Sequence, residues 1–452
     1  MFSLKKTIFI KNAVILTVSS LILRFAGIIF KVYVTRLIGS EGVGLYQLIF
    51  SFYLLASTFA TSGISTAVTR LVTEEIALGS KDGTLRIFRR SIELTLIVAF
   101  VSLFILFFGA EFIANSIIGD IRAMPALKIM AFSLPFMGIS SCIRGYFIAR
   151  RNVTPNALTQ ILEQAVRIGA IVVLAQKFIK KGLAAACTAV ILGDTLAEAL
   201  SCLVLYLCFI SSKKGLNRLN GRENPPFGVI RELTRIALPI TSGRYLNTAL
   251  RTAENVLVPK NLSRYPLSGA KALSQFGMIK GMALPILFFP ATLLNSVATL
   301  LIPEISEAKA KKMNFTIKRL TLRVLRLTGG MSLIFGVLFL ILGEKIGLLI
   351  YKSSDVGALL VALAPIVPFM YLDSVSDGIL KGLDEQSFTF RTSISDSTIR
   401  IILILCLLPI SGMKGFIGIM YFSNFLTCFL NMRRLCKVTN IKFTEILKRL
   451  EH

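Results

Sequence analysis

The chain has 452 residues, of which 54% are hydrophobic and 17% are charged, and its mean hydropathy is +0.73. Soluble globular proteins carry about 25% charged residues, so this chain is too apolar to be one of them. Its formal net charge is nevertheless +27, which in so apolar a chain indicates basic loops between membrane segments and argues against a nucleic-acid-binding protein.

About twelve stretches are apolar and long enough to cross a bilayer, which takes about 20 residues. In chain order they cover 12–37, 43–69, 91–118, 124–149, 153–177, 182–210, 230–257, 272–302, 325–351, 356–381, 388–411 and 413–432. Backbone groups in lipid must find partners within their own segment, so these stretches predict helices. We therefore expect an all-α integral membrane protein.

Basic residues mark one side of the membrane. They cluster in the connections after the even-numbered stretches and in the tail, although Lys177, Lys180 and Lys181 break the pattern. The positive-inside rule then places both termini in the cytoplasm of a multi-pass protein of the cytoplasmic membrane. The basic segments 311–326 and 438–450 predict amphipathic helices that lie on the inner leaflet.

A polar linker at 211–228 separates two predicted lobes of about six helices each. The lobes cover 1–210 and 229–432, and a basic cytoplasmic tail follows at 433–452. The two halves repeat with an offset of 233 residues, which aligns Pro135-Phe136-Met137 with Pro368-Phe369-Met370. Parallel halves of this kind are related by an axis along the membrane normal. We expect two pseudo-symmetric lobes around a central cavity.

The first helix of each half carries a basic pair spaced seven residues apart. Arg24 and Lys31 form the first pair, and Arg244 and Arg251 form the second. Seven residues are nearly two helical turns, so both bases of a pair project from one face. Charges within spanning helices are functional candidates by default, and arginine suits phosphate. With Lys280 as a fifth base, these residues predict a binding site for an anionic substrate, whereas snorkelling to an interface or local ion pairing is the alternative.

Two charge pairs recur at the repeat offset. Glu163 precedes Arg167 by four residues, and Asp396 precedes Arg400 in the same way. This order and spacing favour an ion pair on one helix. We interpret both pairs as structural braces, one in each half.

Two acidic pairs have no acidic counterpart in the other half. They are Asp194 with Glu198, and Asp373 with Asp377, each spaced four residues apart. Such oxygen ligands could hold Na⁺ or exchange H⁺, which would make these residues ion-coupling candidates. The alternative is cross-helix pairing with the basic residues.

The sequence contains few of the residue patterns on which enzyme active sites depend. The single histidine is His452, so no metal site, serine–histidine pair or proton relay can use an internal histidine. The seven cysteines lack metal-ligand spacing, and the chain has no nucleotide-binding P-loop. We expect no enzymatic activity, no metal centre and no cofactor apart from Na⁺ or H⁺ as a coupling ion.

Several segments resemble the multidrug/oligosaccharidyl-lipid/polysaccharide exporter superfamily, and most of all its group of stage V sporulation protein B-like and polysaccharide-biosynthesis flippases, which are relatives of lipid II flippases. They are Arg24-Phe-Ala-Gly27, Thr35-Arg-Leu-Ile-Gly39, Glu41-Gly-Val-Gly-Leu-Tyr46, Gly281-Met-Ala-Leu-Pro285 and Leu301-Ile-Pro-Glu-Ile-Ser306-Glu. The resemblance implies two six-helix lobes, a cationic cavity and alternating access. It also implies substrates of the undecaprenyl-pyrophosphate-linked saccharide type, and it matches Arg24 to the base that these flippases carry in their first helix. Many relatives have fourteen helices, whereas we find about twelve.

The sequence thus predicts a flippase or exporter for an anionic lipid-linked oligosaccharide, for instance a peptidoglycan precursor. Its expected partners are that lipid, the bilayer and cell-wall synthesis proteins, and not nucleic acid. Two alternatives stay open. One is a multidrug or cation antiporter of the same superfamily, which would bind its substrate at Asp194, Glu198 and Asp377. The other is a non-transporting membrane scaffold for cell-wall or spore synthesis.

Overall fold

Most of the residues that the structure describes are helical, and no strand occurs among them, as the sequence predicts. The computed structural model describes residues 2–61, 63–178, 182–213, 228–265, 268–292, 305, 308, 309, 311, 313–442 and 445.

The chain folds as two compact units, Met1–Thr252 and Ala253–His452. The first unit contains α1 (Phe2–Thr61), α2 (Ile64–Ala77), α3 (Lys81–Phe112), α4 (Met124–Ala131), α5 (Ser133–Ala149), α6 (Thr154–Phe178), α7 (Leu183–Lys213) and most of α8 (Val229–Leu262). The second contains the end of α8, then α9 (Gly269–Gly277), α10 (Asn314–Tyr351), α11 (Ser354–Leu363), α12 (Val367–Gly382) and α13 (Gln386–Thr439). The π-helical turns Ile113–Ile118 and Met278–Ala283 extend α3 and α9. The predicted linker 211–228 lies almost wholly outside the described residues, so the predicted lobe boundaries stay a prediction.

The described helices confirm a membrane protein but not the number of its spans. Seven of them are long and apolar enough to cross a bilayer, or eight if the bent pair Ile121–Ala131 and Ser133–Ala149 forms one span. The two predicted spans 388–411 and 413–432 lie on either side of Gly412, whose φ of 54° and ψ of −135° break the helical geometry inside α13. A count of twelve therefore stays a prediction.

One predicted span is interrupted. The stretch 43–69 was expected to be continuous, but α1 ends at Thr61 and α2 begins at Ile64. Between them Gly63 has φ 77°, and a Cβ atom at this position would lie only 2.4 Å from the carbonyl oxygen of Ala237 in α8. The close passage of α8 and the left-handed backbone both require glycine here.

The predicted surface helix at 311–326 is not a separate element. Within the described residues, α10 runs without a break from Asn314 to Tyr351, so this segment is mostly the start of a spanning helix. The basic segment and the apolar run after it bury the same face of the helix. Ile317, Val324 and Leu325 in the basic segment are buried, as are residues further along that face. Of the other predicted surface helix, 438–450, most residues lie outside those described.

The 233-residue repeat reappears in the helix boundaries. The first long helix spans Lys81–Ile118, including its π-helical turn, and the second spans Asn314–Tyr351, so both ends are shifted by 233 residues. Each is followed by a left-handed residue, which is Gly119 at φ 77° and Lys352 at φ 53°. The next helices agree as well, because Ala149 and Gly382 end α5 and α12 at the same offset. Both units therefore use the same succession of helices and caps.

The two long helices also match in hydrophobic length. Seventeen uncharged residues, 94–110 in α3 and 327–343 in α10, separate one charged residue from the next. At 1.5 Å per residue this run is about 26 Å long, close to the ~30 Å of a bilayer's hydrocarbon core. Many of its large apolar side chains are exposed in the isolated chain, among them Ile105, Phe108 and Ile341, and are placed to contact lipid. The 38-residue helices are about 57 Å long, so their N-terminal parts extend beyond the hydrocarbon.

Glycines allow α10 and α11 to approach closely. Gly343 and Gly347 are one turn apart on α10, and the spot where Gly347 would carry a Cβ atom is 2.4 Å from the backbone nitrogen of Gly357. The corresponding spot at Gly343 is 2.8 Å from Val361 Cγ2. Small residues four apart let backbones pack together in membranes, where no hydrophobic force drives helices to associate.

We predict that Gly347→Ala destabilises the second unit, because the added methyl group would overlap the backbone of α11. Overpacking of this kind costs about 1–3 kcal/mol. Thermal unfolding of the purified protein in detergent measures the loss. The control is Gly330→Ala on the same helix, where no atom lies within 4 Å and where removal of a helical glycine stabilises by roughly 0.5–1 kcal/mol. Equal melting temperatures for the two variants would contradict the proposed contact.

Candidate functional site

The first basic pair lies on α1, before the bend of this helix at Gly39. Arg24 and Lys31 are both half-buried. Their spacing of seven residues places them on one face, about 10 Å apart along the helix axis. Gly39 adopts φ 68° and ψ 179° inside the otherwise helical segment, so the pair lies in the helical stretch before this break.

The second basic pair lies on α8 and is exposed. A face of α8 packs on the end of α1: the hydroxyl groups of Thr248 and Thr58 are 3.4 Å apart, and Thr252 donates a hydrogen bond to the carbonyl oxygen of Ser51 at 3.1 Å. Arg244 and Arg251 project about 70° round the helix from this face. The packing on α1 therefore leaves both guanidinium groups accessible.

The composition of α8 is unusual for a membrane helix. It is 34 residues long but is not among the helices that are apolar enough to span a bilayer, because charged residues occur along its whole length. They are Arg231, Glu232, Arg235, Arg244, Arg251, Glu254 and Lys260. Polar residues at membrane depth face a protein interior or a water-filled cavity. This composition favours an aqueous surface for the exposed flank that carries Arg244 and Arg251.

Lys280 lies in a separate group, which we call the C-terminal charged cluster. It consists of Glu254, Lys280, Asp396 and Arg400, with the hydroxyl of Ser423. The Lys280 amine is 2.9 Å from Glu254 Oε1, and Arg400 contacts the same carboxylate. Only 4% of the Glu254 side chain is exposed. The structure therefore places Lys280 beside the carboxylate of Glu254.

A second group, the N-terminal charged cluster, lies in the first unit. It consists of Tyr46, Arg144, Glu163, Arg167, Asp194 and Glu198, on α1, α5, α6 and α7. Glu163 is at its centre, because Arg144 Nη2 lies 3.1 Å and Arg167 Nη2 lies 2.8 Å from its two oxygens. Arg167 Nε is also 2.9 Å from Asp194 Oδ1, and the Tyr46 hydroxyl donates a hydrogen bond to Asp194 Oδ2 at 3.2 Å.

Each cluster has a third carboxyl group within electrostatic range. In the C-terminal cluster two bases face Glu254 and Asp396, and Asp373 lies within electrostatic range of Asp396. In the N-terminal cluster two bases face three carboxyl groups, since Glu198 also lies within electrostatic range of Arg144, Arg167, Glu163 and Asp194. Glu198 is only 6% exposed. The N-terminal cluster therefore holds one carboxyl group more than its bases can neutralise.

Both predicted braces place their charges near one another. Glu163 and Arg167 are 2.8 Å apart, whereas Asp396 Oδ2 and Arg400 Nη1 are 3.9 Å apart. The larger separation arises because Arg400 turns towards Glu254.

The two acids on α12 contact different groups. Asp373 accepts a hydrogen bond from the Asn431 amide at 2.8 Å, and Asp377 pairs with Lys381 one turn further along at 2.5 Å. Asn431 stands at the repeat position of Glu198, so the second half has an amide where the first has an acid. No group of three or more acidic, cysteine or histidine side chains in the described residues is arranged to hold a metal ion.

Sequence reasoning missed Tyr46 and Arg144, which complete the N-terminal cluster from two other helices. Arg144 had one signal, because it stands at the repeat position of Asp377 and so marks a charged position in both halves. For Tyr46 no spacing rule applies, since its partner Asp194 is 148 residues away in sequence.

Comparison with known proteins gives the family. Residues 9–260 match the family model described as polysaccharide biosynthesis protein. The chain is 28% identical over 417 residues to stage V sporulation protein B of Bacillus subtilis (strain 168), which covers 91% of this chain and 80% of that protein.

Two solved structures show the same fold. The lipid II flippase MurJ in an inward closed conformation has a TM-score of 0.72 at 14% identity, with 95% of this chain and 88% of that chain covered. A multidrug resistance MATE family transporter of the MOP superfamily, in an inward-facing conformation, has a TM-score of 0.70 at 13% identity, with 92% and 95% covered. Because the family model matches more than half of its residues, the chain belongs to the polysaccharide biosynthesis protein family.

Proposed function

We propose that this protein is a flippase that moves an anionic lipid-linked saccharide across the cytoplasmic membrane by alternating access. One observation carries the proposal: the first helix of each half bears two bases seven residues apart, Arg24 with Lys31 and Arg244 with Arg251. The family membership and the likeness to a structure named a lipid II flippase support it. The substrate would be of the undecaprenyl-pyrophosphate type, with peptidoglycan precursors as the first candidates.

The bases fit this substrate by their chemistry. A pyrophosphate is a compact anion with many acceptor oxygens, and a guanidinium group offers a planar fork of donors to two of them at once. Arg244 and Arg251 have exposed side chains on a polar helix, so they can reach a ligand without first giving up a buried ion pair. The protein's task would be to bind and release, and no bond of the substrate would be made or broken.

The N-terminal charged cluster supplies a candidate for coupling to an ion gradient. Its surplus carboxyl group requires either a proton or a bound cation at membrane depth, because an unneutralised charge is costly there. Glu198, beside Glu163 and Asp194, would take up H⁺ or Na⁺ in one conformation and release it in the other. Asp373 and Asp377 are weaker candidates, since Asn431 and Lys381 already contact them.

A cation or multidrug antiporter is the second candidate. The surplus carboxyl group and the likeness to the multidrug transporter fold favour it. In that case Asp194 and Glu198 would bind the substrate, and cells that express the protein would export cationic dyes. The flippase is preferred because in both units the buried acids contact bases, whereas Arg244 and Arg251 are exposed. Both termini are proposed to be cytoplasmic, and cell-wall synthesis proteins are the proposed protein partners.

We predict that Arg24→Ala and Arg244→Ala reduce flipping about 10–100-fold each, because each removes charge-assisted hydrogen bonds of roughly 1.5–3 kcal/mol. The measurement is the transfer of a lipid-linked saccharide between leaflets, in cells or in proteoliposomes. Arg89→Ala is the control, since this arginine is 84% exposed and pairs only with Glu93 among its described contacts. Full activity of normally inserted Arg24→Ala and Arg244→Ala proteins would contradict the proposed site, and dye export without flipping would favour the antiporter.

We predict opposite effects for two carboxyl groups of the N-terminal cluster. Glu163→Gln leaves Arg144 and Arg167 without their shared carboxylate, and breaking a buried pair in this way costs about 3–5 kcal/mol. Glu198→Gln removes the surplus acid and should leave the melting temperature in detergent unchanged or higher. It should also abolish the response of transport to an imposed H⁺ or Na⁺ gradient. A Glu198→Gln protein that unfolds like Glu163→Gln, or that keeps its gradient response, would rule out this role of Glu198.

A further inference from the structure

The N-terminal parts of the two long helices carry a basic pair that is itself duplicated. Arg86 and Arg90 lie four residues apart on α3, and the 233-residue offset places Arg319 and Arg323 at the same positions on α10. Residues four apart share a helix face. This pair is separate from the bases assigned to substrate binding, so the inference below does not depend on the proposed function.

The hydrophobic run of α10 fixes the depth of its pair. Counted at 1.5 Å per residue from residue 335, the middle of the uncharged run, Arg323 lies about 18 Å away and Arg319 about 24 Å away. The hydrocarbon core of a bilayer extends roughly 15 Å from its midplane, and the headgroup layer reaches about 21 Å. Arg323 therefore lies at the level of the lipid phosphates, and the backbone of Arg319 lies about 3 Å beyond this layer.

The pair on α10 faces outwards. Ile317, Thr321 and Val324 form the buried face of this part of the helix, whereas Arg319 and Arg323 are exposed. One turn closer to the hydrocarbon, Leu327 is 49% exposed. The exposed face thus offers two guanidinium groups in the headgroup layer and an apolar side chain beside the acyl chains, which is the polarity of a phospholipid.

On α3 one arginine of the matching pair, Arg90, already contacts an acid of the same helix. Glu93 contacts Arg89 Nε at 3.1 Å and Arg90 Nη1 at 2.7 Å, and Asp82 adds a second acid to the same segment. In residues 314–326 of α10 there are four bases and no acid, and the position of Glu93 is taken by Arg326.

Glu445, in the C-terminal tail, contacts the two other bases in this part of α10. Lys318 pairs with the Glu445 carboxylate at 2.7 Å, and this hydrogen-bonded contact lowers the pKa of Glu445 below its usual value. Arg326 donates a hydrogen bond to the Glu445 carbonyl oxygen. Glu445 thus acts on Lys318 and Arg326, which leaves Arg319 and Arg323 as the outward-facing bases of this segment.

We propose that Arg319 and Arg323 bind the phosphate of an anionic phospholipid in the leaflet at the N-terminal end of α10. The guanidinium groups would donate to the phosphate oxygens, and Leu327 would contact the start of an acyl chain. The equivalent surface of α3 would bind such a lipid more weakly, because Glu93 already contacts Arg90 and Asp82 adds a second negative charge to the segment. One half of the repeat therefore carries the lipid site.

Lipid titration of the purified full chain tests this site. The protein is kept in an uncharged detergent, and its dissociation constants for phosphatidylglycerol and phosphatidylcholine are measured by native mass spectrometry. Each base near an anionic surface is worth about 1 kcal/mol, so Arg319→Gln with Arg323→Gln should weaken phosphatidylglycerol binding roughly thirtyfold. Arg86→Gln with Arg90→Gln is the matched control and should change it less than about twofold.

Two further measurements distinguish lipid binding from a structural role of the two arginines and from binding of free phosphate. Arg319→Lys with Arg323→Lys keeps the charge, so it should recover most of the phosphatidylglycerol affinity, whereas a loss as large as that of the glutamine variant would indicate a structural role. Inorganic phosphate and glycerol phosphate should not compete at the concentration where the lipid binds, because they lack the acyl contact. Equal binding of phosphatidylcholine, equal losses from both arginine pairs, or competition by free phosphate would each overturn the proposal.

Discussion

A charge inside a bilayer must find its counter-charge within the protein, and this constraint determines how the helices of both units are held together. In the first unit Glu163 of α6 contacts Arg144 of α5, and Arg167 in turn reaches Asp194 of α7. In the second, Glu254 of α8 brings together Lys280 and Arg400. Removal of a carboxylate from such a group costs more than one contact, because two bases lose the counter-charge that they share. The clusters therefore fix which helices can be neighbours.

The sequence correctly predicted the features that depend on the spacing of residues along the chain. It predicted a helical membrane protein, and the 233-residue offset found from proline and charge matches also relates the ends of α3 and α10. It predicted that Glu163 and Arg167 lie on one face, because four residues make about one helical turn. It could not predict that Arg400 turns away from Asp396 towards Glu254, since that contact joins residues 146 positions apart.

The errors have physical reasons too. A continuous span was expected at 43–69 because hydropathy does not register Gly63, whose left-handed backbone allows α8 to pass. A separate surface helix was expected at 311–326 because its charges differ from those of the span that follows, but helical geometry continues through a change of polarity. The sequence assigns Lys280 to the substrate-binding bases because it lies in an apolar segment, and the fold adds its contact with Glu254, so its role in binding stays a prediction. The positions of Arg24, Lys31, Arg244 and Arg251 on two helices follow from their spacing, whereas their joint action on one ligand is the content of the proposed function.

The matched runs of seventeen uncharged residues in α3 and α10 have a consequence for the membrane itself. A run of about 26 Å is somewhat shorter than an average hydrocarbon core, so the surrounding bilayer must thin or the flanking arginines must reach outwards to close the difference. Because the run is equally long in both repeats, this hydrophobic mismatch acts on the two units alike. A change of bilayer thickness would therefore change the hydrophobic mismatch of both halves equally, and would not by itself favour one of them.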